Sequence, residues 1–155
     1  MDYRDHVGGT INCNAQAEIV NGGGKIVVLG AGESGVGTAI LAQQKGFKVF
    51  VSDKGEIKEE YKKVLLHNEI DWEEGSHTFS KIMDADEVVK SPGIPDTIQL
   101  IIGLKEKGVS VVSEIEFAAR YTDAKLICIT GSNGKTTTTL MTYHIMSNAG
   151  LNVAV

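Results

Sequence analysis

Proline and cysteine are scarce: the 155 residues hold two of each. Cys13 and Cys128 have no ligand-like spacing, which excludes a disulfide framework and a cysteine metal site and fits free thiols in a cytoplasmic protein. No sign of charge dominates, since 15 Lys and Arg stand against 20 Asp and Glu for a net charge of -5. A mildly acidic chain carries no electrostatic footprint for nucleic acid or an anionic membrane. No apolar run approaches the roughly 20 residues that cross a bilayer. The opening MDYRDHVGGT lacks the apolar segment of a secretory signal. The four histidines, His6, His67, His77 and His144, are scattered without metal spacing and read as surface or capping residues.

Apolar residues and glycine are plentiful instead. The apolar share is 42%, too high for a disordered chain, and 18 residues are glycine. The length suits a domain of ordinary size. Residues 1–24 show no sustained period and read as a flexible leader. From Lys25 onward, short apolar runs alternate with helical patterns. Strands are expected at 25–30, 47–53, 70–72, 85–90, 109–113, 126–130 and 151–155, and helices at 34–45, 57–68, 97–107, 114–121 and 137–149. This alternation predicts an α/β fold with a parallel sheet and helices on both faces. The best boundary lies at 121–124, after which a new βα series opens with its own glycine loop.

Two loops carry chemistry. The first, Gly30-Ala31-Gly32-Glu33-Ser34-Gly35, is a G-x-G-x-x-G turn between strand and helix, with Asp53 at the end of the next strand. Glycines let the backbone approach an anion, the helix N-terminus supplies free N–H groups, and the acid can take ribose hydroxyls. In this context the loop fits a nucleotide diphosphate, NAD included, and does not choose among them. The second loop is Gly131-Ser132-Asn133-Gly134-Lys135-Thr136-Thr137. Its Gly-Lys-Thr ending fits a phosphate loop: backbone N–H groups around the phosphates, Lys135 on the terminal ones, the Thr136 hydroxyl on Mg²⁺. The generic pattern is bent, because position 129 is Ile rather than Gly.

With both loops in place the chain resembles the Mur ligases of peptidoglycan synthesis, over about residues 25–155. GAGESG, VVKSPGIP and SEIEFAARYTDAKLICITGSNGKTTTT match in order and spacing, and the family's own phosphate loop is short, which accounts for Ile129. The resemblance is greatest to the branch that adds D-glutamate, since the L-alanine-adding member typically has His where Asn133 stands and the later ligases lack GAGESG. It implies a Rossmann-like domain at 25–121 that binds the UDP-sugar, then at 122–155 the first β-α-β piece of a P-loop ATP-binding domain. UDP contacts would come from Gly30, Gly32, Glu33, Ser34, Gly35, Asp53, Lys54, Gly55, Ser91, Pro92 and Gly93. The family often has Arg where Gly55 stands. ATP would be held by Gly131 through Thr137, with Lys135 as the catalytic cation and Thr136 on Mg²⁺.

The implied reaction activates UDP-MurNAc-L-alanine with ATP as an acyl phosphate, which the amine of D-glutamate attacks. The family's remaining catalytic residues lie downstream of this stretch, so the 155 residues are expected to bind the UDP moiety without completing catalysis. Two further readings stay open: an NAD-binding dehydrogenase domain, which leaves the second loop unexplained, and a non-catalytic nucleotide-binding module. The run LNVAV, if exposed as an edge strand, is expected to pair between chains.

Overall fold

The computed structural model describes residues 23–155. The expectation of a leader over 1–24 falls almost wholly outside them. The described residues divide into two compact units, parted between Thr122 and Asp123.

The first unit alternates strand and helix: β1 (Lys25–Leu29), α1 (Glu33–Gln44), β2 (Lys48–Ser52), α2 (Glu59–His67), β3 (Asp71–Glu73), α3 (Phe79–Ile82), β4 (Glu87–Lys90), α4 (Gln99–Glu106), β5 (Ser110–Ser113) and α5 (Glu114–Ala119). The five strands form one sheet in the order β3-β2-β1-β4-β5. Every pairing is parallel, for example Val27 beside Phe50 on one side and Val88 on the other.

Strand geometry sends alternate side chains to opposite faces. Ile26 and Val28 join Val36, Ala39 and Ala42 of α1, Leu65 of α2 and Phe117 of α5 in one core. Val27 and Leu29 join Ile82 of α3 and Leu100, Ile101 and Leu104 of α4 in the other. Both faces are therefore covered by helices, which is why β1 reads as an unbroken apolar run rather than an alternating one. The strand order reverses between β1 and β4. In such sheets the crevice at that switch, outside the carboxyl ends of the strands, is where ligands bind.

The second unit contains α6 (Lys135–Asn148). Two expected strands do not form: residues 126–130 and 151–155 have no ladder. A strand exists only where a neighbour takes its N–H and C=O groups, and neither run has such a neighbour among the described residues. Leu126 and Ile127 are 47% and 50% exposed. The pairing between chains expected at LNVAV loses its basis, since no edge strand stands there. Helix α3 is an addition: its four residues are too few to show a helical period.

Candidate functional site

β1 ends at Leu29 and the chain turns at Gly30, whose φ of +102° is a conformation that favours glycine. A Cβ on Gly30 would stand 2.9 Å from Ser91 Oγ, and one on Gly35 would stand 2.0 Å from the Gly30 carbonyl oxygen. Gly35 therefore lets the first turn of α1 press against the strand end. Gly32 caps α1, with open space around its Cα. The first-turn N–H groups of Glu33, Ser34 and Gly35 have no intrahelical acceptor.

Two carboxyl groups hold this loop. Asp53 Oδ2 accepts the Ala31 N–H at 2.6 Å and its Oδ1 accepts the Gly55 N–H at 2.7 Å. Each oxygen keeps a second lone pair for a ligand donor. Glu114, buried at the start of α5, accepts the Ser34 hydroxyl at 2.9 Å and the Ser91 hydroxyl at 2.7 Å. Ser34 and Ser91 thus spend their hydroxyl hydrogens inward. They clasp the glycine loop to the Ser-Pro-Gly turn and can only accept from a ligand.

A cavity of about 660 Å³ opens at the carboxyl ends of β1 to β4, within the usual range for small-molecule sites. Of the residues expected from sequence, Gly30, Gly32, Asp53, Lys54, Ser91 and Gly93 line it. Glu33, Ser34, Gly35, Gly55 and Pro92 do not. Ile94, Pro95 and Ile98 add an apolar wall. Sequence reasoning missed Gly75, Ser76 and His77, which follow β3 and complete the lining. The usable signal was their place after a strand's carboxyl end, obscured because β3 is only three residues long. It also missed Glu114, which reads as an ordinary first-turn acid.

His77 is the correction among the histidines: it lies in the cavity wall, half-buried, rather than on the surface or at a cap. Its Nδ1 is 2.7 Å from Ser52 Oγ. Burial pushes its pKa below the ordinary histidine value, aided by Lys54 and opposed by Asp53 and Glu73. Ser52 also meets Glu73 Oε1 at 2.8 Å.

In the second unit, Gly131 and Gly134 have φ of +154° and +78°. The Lys135 ammonium folds back onto the Gly131 carbonyl at 2.6 Å. Gly134 caps α6, and Thr139 and Thr142 return their hydroxyls to carbonyls one turn back. A glycine-shaped loop, a helix start with unspent N–H groups and an ammonium beside it suit phosphate oxygens. Thr136 follows Lys135 in the first turn of α6. Among the described residues no group of three or more His, Cys, Asp or Glu is placed to hold a metal ion.

Comparison with known proteins agrees with this architecture. Residues 25–99 match the family model described as the MurD N-terminal domain. The chain is 63% identical over 131 residues to the UDP-N-acetylmuramoylalanine--D-glutamate ligase of Bacteroides fragilis, covering 84% of this chain and 30% of that protein. It is 42% identical over 129 residues to the ligase of that name from Ligilactobacillus salivarius, covering 83% and 28%. The chain thus spans less than a third of the length of the curated relatives it matches. Among solved structures, a murein peptide ligase from Psychrobacter arcticus superposes with a TM-score of 0.60 at 26% identity, over 83% of this chain and 27% of that one. A pseudomurein peptide ligase type C from Methanothermus fervidus gives 0.56 at 28%, over 85% and 29%.

Proposed function

We propose, from the premise that residues 25–99 belong to the MurD N-terminal domain family, that the cavity at the carboxyl ends of β1 to β4 binds the uridine diphosphate of UDP-MurNAc-L-alanine. The chain would then be the substrate-recognition end of a cytoplasmic ligase that joins D-glutamate to that substrate. The observation that carries the reading is the cavity wall itself: Gly30 and Gly32 from the glycine loop, Asp53 and Lys54 after β2, and Ser91 and Gly93 after β4 converge on one space. The free N–H groups at the start of α1 and the Lys54 ammonium suit a diphosphate. Asp53 has lone pairs left for ribose or base donors, and Lys54 supplies the cation where the family often has Arg.

The second loop would hold ATP through Gly131, Ser132, Asn133, Gly134, Lys135, Thr136 and Thr137, with Mg²⁺ on the Thr136 hydroxyl. When bound, ATP supplies the phosphoryl group that activates the substrate carboxylate. Lys135 would leave the Gly131 carbonyl for the phosphates and stabilise their charge. The 155 residues span 30% of the Bacteroides fragilis relative, so the polypeptide studied alone is expected to bind without turning over.

Titration calorimetry on the 155-residue protein with UDP, NADH and ATP·Mg²⁺ tests the reading. Binding of UDP with no heat from NADH is expected. NADH binding in place of UDP would overturn it.

A further inference from the structure

The chemistry of His77 follows from its neighbours. Ser52, fully buried at the end of β2, has one hydroxyl hydrogen and donates it to Glu73 Oε1 at 2.8 Å. That oxygen also accepts the Thr78 N–H at 2.7 Å. Burial works against charge on Glu73, but hydrogen bonds from Thr78 and Ser52 and the nearby Lys81 outweigh it and hold the carboxyl below the usual range. Glu73 is therefore an acceptor only at neutral pH. With the Ser52 hydrogen committed to Glu73, the 2.7 Å contact between Ser52 Oγ and His77 Nδ1 closes only if Nδ1–H is the donor. The charged groups acting on the ring are Asp53, Glu73 and Lys54, and burial outweighs the two acids to favour the neutral form.

A neutral imidazole with its proton on Nδ1 has a bare lone pair on Nε2. No side-chain nitrogen or oxygen among the described residues is buried without a partner. Nε2, for which the structure gives no protein partner, is thus accessible, and it belongs to a residue that lines the cavity.

We propose that His77 Nε2 is a specificity element of the nucleotide pocket: it accepts a hydrogen bond from a neutral donor of the nucleoside, either the uracil imide N–H or a ribose hydroxyl. The proposal rests on the uridine-nucleotide reading above. A lone pair repels phosphate oxygens, so it also assigns the diphosphate to the Lys54 and α1 side of the cavity. Protonation turns Nε2 into a donor, and the bond to the nucleoside is lost. The Ser52–Glu73 pair is the device that fixes the tautomer.

The test is calorimetry with UDP-N-acetylglucosamine, whose doubly esterified diphosphate keeps its charge across the range, at pH 7.5 and pH 5. Wild-type affinity is expected to fall on acidification, by at most the roughly two- to tenfold of one neutral hydrogen bond. His77→Phe, which offers no acceptor, should show the weaker affinity already at pH 7.5. His77→Gln, whose carbonyl accepts without titrating, should keep the affinity and lose the pH dependence. The 3-methyl, 2′-deoxy and 3′-deoxy uridine analogues identify the donor: one of them should bind wild type and His77→Phe equally. Ring ¹⁵N spectra should place the proton on Nδ1 in the free protein. No binding of the probe at pH 7.5 would overturn the uridine-nucleotide reading itself. Binding that is the same in wild type and His77→Phe at both pH values, or a proton on Nε2, would overturn the His77 proposal alone.

Discussion

Gly35 and Glu114 show how single residues shape the glycine loop from behind, without entering the cavity. The 2.0 Å approach of a Gly35 Cβ to the Gly30 carbonyl oxygen cannot be relieved by a side-chain rotation, because the obstacle is backbone. Gly35→Ala should lower stability by about 1–3 kcal/mol, the usual cost of overpacking, read as a lower urea midpoint at unchanged slope. Glu114→Ala removes the acceptor of both the Ser34 and Ser91 hydroxyls. Leaving such groups unpaired should cost about 1–3 kcal/mol and weaken nucleotide binding as the loop and the Ser-Pro-Gly turn part. His77 adds a pH dependence to stability. Its folded-state pKa lies below the ordinary value of about 6.5, so the unfolded chain takes up protons first. Stability is then full above about pH 6.5 and declines as pH falls below it; Glu73, also lowered, extends the loss further into acid. Thermal melts between pH 7.5 and 5 should show this decline, reduced in His77→Gln.

At the scale of elements, the sequence predicts well what local periodicity and parallel-sheet chemistry decide. β1, β2, β4 and β5 and the helices between them are legible because buried parallel strands are short apolar runs and glycine or a polar turn ends each helix. β3 and α3 are hard to read because three or four residues are too few to establish a period. Residues 126–130 and 151–155 have strand-like composition, yet composition cannot supply the neighbouring strand that a ladder requires. The glycine loops announce themselves through spacing, whereas Glu114 and His77 matter through partners distant in the chain, Ser34 and Ser91 for one and Ser52 for the other. The same reasoning predicts uneven rigidity. α6 has no buried residue, while Val27, Val28, Val88 and Val89 of β1 and β4 are fully buried. Hydrogen exchange should therefore be slow in β1 and β4 and much faster throughout α6. Equal protection in the two regions would contradict that picture.

For the whole molecule, the first unit is a sheet with both faces covered by helices and a cavity at the carboxyl ends of its strands, the architecture on which the proposed nucleotide binding rests. The second unit carries the glycine loop proposed for ATP at the start of α6. Since the 155 residues cover 30% of the Bacteroides fragilis relative, incubation of this polypeptide with UDP-MurNAc-L-alanine, D-glutamate and ATP·Mg²⁺ should release no phosphate that depends on D-glutamate. The central claim is that the crevice between β1 and β4 is the uridine diphosphate site. It is tested most directly by titrating UDP-MurNAc-L-alanine into ¹⁵N-labelled protein and mapping the amide shifts. The account predicts saturable shifts at Gly30, Gly32, Lys54, His77 and Gly93. Saturable shifts that leave these amides unmoved would contradict it.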